Sequence, residues 1–551
     1  MTLPSRFWLY FNTMRHLRLS QIALRIWRRV GGSTPLVRGY RVRPEVSRAS
    51  IASVPVLPLL DFDPVFLGRY DVDALLDDQV ELLHHGEAVD WNASWHSKLG
   101  TPLWRFNLHY CEYLLPLAAA ALKSGDKRYL IKAKSIIDAW IVANPRSTGG
   151  VGWDSYVISM RVTQWLAFYG EVRVLLEEDS AFIDRMNQSL AEQYAFLADH
   201  LEKDILGNHY LENLKALVLL SCYFRDEATL RHLMPVLEEQ IAEQILPDGM
   251  HFELSPMYHK VILECLMRIA CTLQAGEWAR DVATLCRLQD MCDCLYSLEH
   301  DADRTPLFND SGDNVAKSRD ALLACAREQF GLAPRLKDCL PDAGYYFLRG
   351  TIGETEVKVI FDAGRPGPEF AAGHAHCDML SFEAFVGGHP WLVNTGTFAY
   401  QDARRLAFKR TAAHNAPQRA GVEQSECWAP FRMARMAQVQ EVCHGPRFVE
   451  AAMRDHRGGA LKRRIELTEG GIVVTDMAPD GARIVSSLRS PGRIGEGIFS
   501  EGELCPYAPE FGRIDEARRL VFVGEGQVTY HVAVPTCAQI PEAEGGRCEC
   551  D

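Results

Sequence analysis

Apolar residues recur at helical spacing along most of the chain between about residues 100 and 330. Short stretches that contain Gly, Pro and Asp separate the successive helical segments. These segments are LLPLAAAALKSG, KRYLIKAKSIIDAWIVANP, SYVISMRVTQWLAFYGEVRVLLEE, AFIDRMNQSLAEQYAFLADHLEK, EATLRHLMPVLEEQIAEQILPDG and YHKVILECLMRIACTLQAG. Helices of similar length that follow one another in this way predict stacked antiparallel pairs, which form either a solenoid or an α/α toroid.

Near residue 340 the pattern changes to short apolar runs separated by Gly-containing turns. The runs are YYFLRG, TEVKVIFDAG, LSFEAFVGG, HPWLVNTG, FVEAAMRD, RRIELTEGGIVVTDMA, RIVSSLR, RLVFVGEG and QVTYHVAVP. Many short strands at close spacing are typical of an antiparallel β-sandwich.

The two patterns together predict an α+β multidomain protein. We expect a basic amphipathic segment over 1–45, an α/α toroid over 46–330 and an antiparallel β-sandwich over 331–551. The length of 551 residues agrees with more than one hydrophobic core. A cleft between the two large domains is the expected place for a ligand.

The net charge and the spacing of the cysteines limit the classes of partner and the cellular compartments that we expect. The net charge of −13 argues against a nucleic-acid partner, because nucleic-acid binders are usually basic. The sequence shows neither a convincing signal peptide nor an apolar run long enough to span a membrane. Its 16 cysteines lack paired spacing and indicate free thiols. We expect a cytoplasmic protein or one peripheral to the inner membrane, with the periplasm as the alternative.

The N-terminal segment differs in charge from the rest of the chain. Residues 1–44 contain nine Arg and no Asp or Glu. Leu19, Ile22 and Ile26 fall on one face of a predicted helix, while Arg18 and Arg25 fall mostly on another. Two interpretations remain open: the helix docks on the acidic body of the protein, or it contacts an anionic membrane surface or polymer.

Polar residues interrupt two of the predicted helices. Arg161 lies within WDSYVISMRVTQW, where a surface arginine or a structural ion pair would explain it. In GNHYLENLKALVLL, Asn208 and His209 precede Glu212, which lies three residues after the histidine on the same helical face. Asn208 as a helix N-cap, with Glu212 completing a capping arrangement, is the structural alternative.

Two further polar groups lie at element boundaries. Tyr258 follows Ser-Pro in LPDGMHFELSPMYHK, at the start of a predicted helix. His374 and His376 open the stretch HAHCDMLSFEAFVGGHPWLVNTGTFAY, which predicts a β-hairpin, and His414 follows in RTAAHNAP. Each of these residues alone is more often structural than functional.

As a set, these amides, imidazoles, phenol and arginines suit one type of chemistry. The proton on a sugar carbon next to a carboxylate is weakly acidic, so its removal requires donors that neutralise charge developing on the carboxyl group. A base then takes the proton, and an acid protonates the departing glycosidic oxygen. The overall reaction is β-elimination from a uronate-containing polysaccharide.

Four motifs in the same order resemble the heparinase II/III-like polysaccharide lyases, which include heparin lyases and oligoalginate lyases. They are GNHYLEN, DGMHFELSPMYH, HAHCDMLSFE with LVNTGTFAY, and RTAAHNAP. The resemblance spans roughly residues 100–440. It implies an incomplete α/α toroid followed by an antiparallel β-sandwich, in agreement with the pattern of apolar residues.

The resemblance also implies roles for individual residues. Asn208 and His209 would neutralise the substrate carboxylate, and Glu212 would orient His209. Tyr258 would be the general acid and, in a syn elimination, also the base. His374 would act from the β-domain as base or carboxylate partner.

Three residues are candidates for substrate binding. They are Arg161, Glu212 and Tyr400, the last at a position where some members of the family have a substrate-contacting tyrosine.

The resemblance further implies one structural zinc ion and no organic cofactor. His376, position 394 and His414 fall on the metal site of the family, and the strand parity would place His376 behind His374. The family usually has Asp at position 394, whereas this chain has Asn394, a poorer zinc ligand. Asp378 is an alternative carboxylate.

Two other functions share parts of this chemistry. A uronate C5 epimerase removes the same proton and returns one to the opposite face, so only an unsaturated product distinguishes elimination from epimerisation. A non-catalytic glycan-binding or assembly protein is the third interpretation, which Asn394 favours and the four catalytic candidates oppose. A role in bacterial surface polysaccharide metabolism would agree with the expected compartment.

Overall fold

The computed structural model describes residues 3–44, 55–276, 283–299, 304–491 and 499–535. Helices fill most of the chain up to Phe330, and strands dominate after residue 338. The C-terminal end of the predicted third domain, residues 536–551, lies outside the described residues. No described helix is long and apolar enough to cross a membrane.

The helices are numbered in chain order. They are α1 (Leu3–Met14), α2 (Leu19–Arg29), α3 (Pro58–Asp61), α4 (Pro64–Leu67), α5 (Val72–Leu76), α6 (Pro102–Tyr110), α7 (Leu114–Ser124), α8 (Lys127–Ala143), α9 (Ser155–Leu176), α10 (Ser180–Asp199), α11 (Gly207–Tyr223), α12 (Glu227–Gln244), α13 (Pro256–Ala275), α14 (Ala283–Glu299), α15 (Arg319–Phe330) and α16 (Arg405–Lys409).

The larger helices form two layers. Helices α7, α9, α11 and α13 contact one another in sequence, and α8, α10, α12 and α14 pack outside them. Nearly every residue of α11 and α13 is buried, as expected for helices enclosed on all sides. This arrangement is an incomplete α/α toroid, and it confirms the first part of the predicted fold.

The strands are also numbered in chain order. They are β1 (Gln79–Leu82), β2 (His85–Ala88), β3 (Cys339–Leu340), β4 (Tyr345–Ile352), β5 (Thr355–Asp362), β6 (Phe382–Val386), β7 (His389–Leu392), β8 (Pro417–Arg419), β9 (Cys427–Ala429), β10 (Arg432–Met433), β11 (Gln438–Gly445), β12 (Phe448–Arg454), β13 (Ala460–Thr468), β14 (Gly471–Met477), β15 (Arg483–Ser490), β16 (Glu503–Tyr507), β17 (Asp515–Glu525) and β18 (Gln527–Ala533).

The strands after α15 form the predicted antiparallel sandwich. One sheet has the order β3-β4-β5-β6-β7, a second has β11-β12-β13-β14-β18, and a four-stranded sheet has β16-β17-β15-β8. Leu348 and Val359 of the first sheet share a core with Val449 and Ile465 of the second. The strand part of the predicted fold is therefore also confirmed.

The first sheet is buried on both faces. Successive residues of a strand point to opposite faces, so Tyr346 enters the sandwich core while Phe347 points the other way. Phe347 packs with Leu298 and Phe308, which precede α15 in the helical part of the chain. The toroid and the sandwich thus share an apolar interface, and the cleft lies beside it.

The stretch before β6 is not a strand. The predicted hairpin is present as β6 and β7, joined at Gly387 and Gly388, whose positive φ angles suit a tight turn. Residues 374–378 form a loop without strand pairing, so strand parity does not set the directions of His374 and His376.

The N-terminal segment is docked on the protein. Arg28 pairs with Asp204 of the toroid at 2.6 Å, and Arg18 pairs with Glu243. The buried Gln21 side chain lies between the toroid and the sandwich, donating to the carbonyls of Asp204 and Phe370. The structure agrees with the first of the two interpretations, in which the N-terminal segment docks on the body of the protein itself.

Candidate active site

A cavity of about 1040 Å³ lies where the toroid, the sandwich and the N-terminal segment meet. Six of the predicted site residues line it: Asn208, His209, Glu212, Tyr258, His374 and Tyr400. Residues distant in sequence are therefore brought to one cleft between domains, as the sequence predicted.

Asn208 is held by a carboxylate rather than used as a helix cap. The N-cap of α11 is Leu206, whose side chain makes no capping bond. The Asn208 amide Nδ2 donates to both carboxylate oxygens of Glu253, at 3.0 and 2.9 Å. A Cβ on Gly207 would lie 2.2 Å from Glu253 Oε1, so this approach requires a glycine there. The capping alternative is wrong for Asn208.

His209 is oriented by Glu202 and not by Glu212. Its Nδ1 lies 2.9 Å from Glu202 Oε1, and the Asn213 amide holds the other oxygen of this carboxylate at 3.0 Å. Glu212 instead pairs with Lys215 one turn further along α11. The predicted role of Glu212 as the partner of His209 is therefore wrong, because the imidazole points back to the loop before the helix.

The environment of His209 favours the imidazolium. Burial opposes protonation, but the Glu202 carboxylate, with Asp154 and Glu253 nearby, outweighs it and raises the pKa of His209 to about 9. The side chain keeps 32% of its surface exposed toward the cleft. A fixed positive charge thus lies where a substrate carboxylate would enter.

Tyr258 lies in the first turn of α13. Ser255 caps this helix by accepting a hydrogen bond from the Tyr258 amide at 3.1 Å. The Tyr258 hydroxyl lies 2.6 Å from that of Tyr400, and its ring centroid is 4.2 Å from that of His374. Burial, followed by the charge of Asp310, raises the pKa of Tyr258, so the phenol keeps its proton at neutral pH.

His374 enters the cleft from the β-domain. Its Nδ1 lies 2.8 Å from Asp310 Oδ2, and its Nε2 lies 3.4 Å from the Asn208 amide nitrogen. Burial raises the pKa of Asp310, but Arg405 and two imidazoles outweigh it and hold that pKa well below its ordinary value. An ionised Asp310 fixes the proton on Nδ1 and leaves the lone pair of Nε2 facing the cleft.

Arg161 does not reach the cavity. Its guanidinium is fully buried in the toroid, 3.8 Å above the ring of Trp140. It donates to Gln193 Oε1 at 2.9 Å and to the Gly152 carbonyl at 2.8 Å. The prediction that Arg161 binds substrate is wrong, because all of these contacts hold the helices together.

A second polar cluster lies buried behind His374. The side chains of His376, Asp378 and His414 offer metal-ligating atoms that all lie within 4.8 Å of one another. Within the described residues, His376 Nδ1 and both ring nitrogens of His414 lack a well-formed hydrogen bond. Burial lowers the pKa of His376 to about 4, so this imidazole is neutral, the form that binds metal.

The carboxylate of this cluster comes from Asp378 rather than from position 394. The Asn394 Oδ1 accepts a hydrogen bond from the Asn415 amide at 2.9 Å, so it is committed to the backbone. Burial raises the pKa of Asp378 to about 6, and a bound cation would offset this cost of ionisation. Two free imidazole nitrogens and a buried carboxylate fit a zinc ion, with Asp378 in place of Asn394.

Two family models match consecutive parts of the chain. The model for the heparinase II/III N-terminus matches residues 73–335, and the heparinase II/III-like C-terminal model matches residues 333–487. This chain belongs to the heparinase II/III-like family. The N-terminal segment of this heparinase II/III-like protein lies outside both matches.

Two relatives that match part of this chain are named heparin-sulfate lyases, in agreement with the family. This heparinase II/III-like chain is 25% identical over 343 residues to the heparin-sulfate lyase of Pedobacter heparinus, covering 57% of this chain and 50% of that protein. It is 23% identical over 244 residues to the heparin-sulfate lyase of Bacteroides thetaiotaomicron, covering 41% and 34%. The matches thus span half or less of these relatives' own length.

Solved structures share the fold of this heparinase II/III-like chain. The crystal structure of heparinase III has a TM-score of 0.63 at 17% identity, covering 94% of this chain and 89% of that one. A mutant of the heparan sulfate lyase from Pedobacter heparinus has a TM-score of 0.56 at 16% identity, covering 85% and 83%. At these identities the likeness shows a common toroid and sandwich.

The sequence analysis missed the residues that orient the site. Glu202, Glu253, Asp310 and Arg405 contact the predicted functional side chains of this heparinase II/III-like protein. Glu253 lies inside the quoted motif DGMHFELSPMYH, and Glu202 lies six residues before Asn208. The signal available was an acidic residue close to each motif, but acidic residues are too common for that signal to be specific.

Proposed function

We propose that this protein is a polysaccharide lyase that cleaves an anionic, uronate-containing polysaccharide by β-elimination. One observation carries the proposal. The phenol of Tyr258, the imidazole of His374, the amide of Asn208 and the imidazolium of His209 line one cavity. These are the groups that proton removal beside a carboxylate requires.

The toroid side of the cleft would bind the substrate carboxylate. His209 supplies a positive charge, and Asn208 supplies an amide held in place by Glu253. Both stabilise the negative charge that develops on the carboxyl group as the C5 proton leaves.

The proton transfers would take place on the other side of the cleft. His374 Nε2 accepts the C5 proton, the electron pair forms the C4–C5 double bond, and the C4–O bond breaks. Tyr258 gives its proton to the departing oxygen. In a syn elimination Tyr258 would take both roles, but its raised pKa supports the acid role and leaves the base role to His374.

Formation of an unsaturated sugar is the experiment that tests this function. A panel of uronate polysaccharides is incubated with the protein, and ultraviolet absorbance reports the 4,5-unsaturated product. Tyr258→Phe should lower turnover by about 10²–10⁴-fold because it removes the general acid. Tyr223→Phe is a matched control, since Tyr223 is also buried but bonds Asn187 within the toroid. Proton exchange at C5 without absorbance would establish an epimerase instead, and near-normal turnover of Tyr258→Phe would refute the mechanism.

We also propose that His376, Asp378 and His414 hold one structural zinc ion. The buried free ring nitrogens and the nearby carboxylate support it. The ion would tie the loop before β6 to the segment before β8, behind the cleft.

The compartment and any membrane contact remain proposals as well. We infer a cytoplasmic or inner-membrane peripheral protein. Exposed apolar side chains on α1, together with neighbouring arginines, support contact with an anionic lipid surface. These apolar residues are Phe7, Trp8, Tyr10, Phe11 and Met14. Cell fractionation tests the compartment, and co-sedimentation with anionic against neutral vesicles tests the contact.

A further inference from the structure

The N-terminal segment forms a third side of the cavity. Thr13, Leu17, Arg25, Arg28 and Arg29 line it alongside residues of the toroid and the sandwich. The segment contacts both domains across the cleft: Gln21 bonds the loop before α11, and His16 Nε2 lies 3.0 Å from the Ala434 carbonyl. The Trp428 indole also donates to Thr13 Oγ1 at 3.0 Å. These contacts fix the arginines of α2 at the edge of the site.

A surplus of positive charge remains on this side after ion pairs are assigned. Of the acidic residues that line the cavity, Asp204 and Glu369 form ion pairs with the N-terminal segment. Asp204 pairs with Arg28 at 2.6 Å, and Glu369 lies 3.2 Å from His16. Besides Arg28, the arginines that line the cavity are Arg25, Arg29 and Arg432.

Among the described residues, no carboxylate is hydrogen-bonded to the side chains of these three arginines. Arg25 donates only to the backbone carbonyl of Asp204, at 3.2 Å. Within the described part of the chain, the side chains of Arg29 and Arg432 make no ion pair or hydrogen bond, although their backbones belong to α2 and β10. Burial lowers the pKa of Arg25, and the charge of Arg432 lowers it further, while Asp204 acts in the opposite direction.

We propose that Arg25, Arg29 and Arg432 form a subsite for a second acidic group of the polysaccharide, a carboxylate or a sulfate on a sugar beyond the one that is cleaved. This inference rests on the proposed lyase function. The planar guanidinium suits both groups, because its donors match their oxygens in a bidentate geometry. The subsite shares a cavity with His209, so one polyanion can contact both.

The location of the subsite has a consequence for the whole protein. The chain carries a net charge of −13, which repels a polyanion at long range. A local basic surface at the mouth of the cleft offsets this repulsion and guides the substrate to the site. Arg25 and Arg29 of α2 lie outside both family matches, whereas Arg432 lies within the C-terminal match, so the subsite would join the N-terminal segment to the shared β-domain.

The test compares a double variant with a matched control. Arg29→Gln with Arg432→Gln removes two exposed cations that make no ion pair with described residues, so the fold should be retained and thermal unfolding checks this. Arg38→Gln is the control, because Arg38 is an exposed arginine of the same segment that does not line the cavity. Two polymers are used: heparosan, which has carboxylates alone, and heparan sulfate, which also has sulfates.

We expect the double variant to raise KM by roughly tenfold with a smaller change in kcat, since it removes charge-assisted contacts outside the reacting sugar. It should also elute from each immobilised polymer at lower salt than the wild type and the control. An effect on both polymers indicates a carboxylate subsite, and an effect on heparan sulfate alone indicates a sulfate subsite.

Unchanged KM and elution in the double variant, or an equal shift in Arg38→Gln, overturns the subsite. Failure of the proposed function is distinguishable from this result. If the wild type forms no unsaturated product from any uronate polymer, the lyase proposal fails, and elution from the immobilised polymers still decides whether the arginines bind acidic groups.

Discussion

His209 in the cleft and His376 in the buried cluster behind it take opposite charge states. His209 has a pKa raised to about 9, whereas the pKa of His376 is lowered to about 4. His209 Nδ1 lies 2.9 Å from Glu202 Oε1, and His376 Nε2 lies 2.8 Å from Asp310 Oδ1. Both imidazoles thus have a carboxylate partner, so the partner alone does not decide whether the ring is charged.

Burial lowers the pKa of both imidazoles and acts most completely on His376, whose side chain has no exposed surface, against 32% for His209. The two carboxylates also differ in what else they contact. The Glu202 carboxylate contacts His209 and the neutral side-chain amide of Asn213, so its negative charge acts mainly on the imidazole of His209. Asp310 is already paired with Arg405, and this arginine also repels a proton on His376. The first environment makes an imidazolium, which suits the proposed binding of a substrate carboxylate, and the second makes a neutral imidazole, which suits the proposed metal site. The predictions below test this contrast, from the largest expected effect to the smallest.

Asp310→Asn should damage both regions at once. Loss of the carboxylate removes the partner that fixes the tautomer of His374, which should lower turnover by about 10³-fold or more. It also leaves the buried charge of Arg405 without its partner, which should destabilise the fold by about 3–5 kcal/mol. Turnover and chemical denaturation measure the two effects.

The control for this variant is Asp402→Asn. Asp402 is a partly exposed partner of Arg404, and its loss should leave turnover and stability almost unchanged. Normal activity of Asp310→Asn at a temperature where it is folded would contradict the role given to Asp310.

Glu202→Gln should abolish the contrast by lowering the pKa of His209. In the wild type His209 is a cation below about pH 9, so activity that depends on this charge falls as the pH rises through 9. In the variant the alkaline limb of the pH profile should move to lower pH by at least two units, so activity near pH 8 should fall by at least about tenfold. The pH profile of kcat/KM measures it.

Glu212→Gln provides the comparison for Glu202→Gln. Because Glu212 pairs with Lys215 and not with His209, the alkaline limb should stay near pH 9. A shift of the limb in Glu212→Gln but not in Glu202→Gln would restore the original assignment.

Removing a ligand from the buried cluster should affect stability more than catalysis. His414→Ala and Asp378→Asn should each lose the one equivalent of zinc expected in the wild type and lower the midpoint of thermal unfolding. Turnover at low temperature should fall by less than about tenfold, since the cluster lies behind the reacting groups. Metal analysis and thermal unfolding check this.

Asn394→Ala is the control for the metal analysis of His414→Ala and Asp378→Asn. It should keep the metal, because the Asn394 amide is bonded to the backbone. Metal-free wild-type protein, or zinc retained by Asp378→Asn and lost by Asn394→Ala, would contradict the assignment.

Arg161→Met should have the smallest effect on catalysis. The long apolar side chain fills part of the space over Trp140 but leaves the acceptors of Gln193 and Gly152 without a donor. We expect a loss of about 3 kcal/mol in the free energy of unfolding and an unchanged KM. A raised KM without loss of stability would show that Arg161 contacts substrate after all.

The sequence predicted the elements and many of the residues that line the cavity. Helical and alternating periods identify the toroid helices and most strands because local burial patterns determine them. The order of four motifs identified Asn208, Tyr258 and His374, which the structure brings to one cleft.

The errors concern partners set by tertiary structure. Glu212 has the i,i+3 spacing from His209 that helical geometry favours, yet the imidazole turns to Glu202 in the preceding loop. Arg161 has polar neighbours in sequence, and nothing local distinguishes a buried arginine from one at a cleft. Asp310 lies far from both histidines in sequence, so only the fold shows that it contacts them.

The position of Asp310 limits how this protein can be recombined with its relatives. The stretch around Asp310 precedes α15 in the chain, yet its backbone bonds to the β-domain: Leu307 donates to Glu383 and Asn309 donates to Asp378. A chimera joined near residue 330 would take this stretch from one parent and its partners from the other. Breakpoints placed before residue 304 would keep Asp310 and its partners His374, His376 and Arg405 from a single parent, so functional hybrids should be found there.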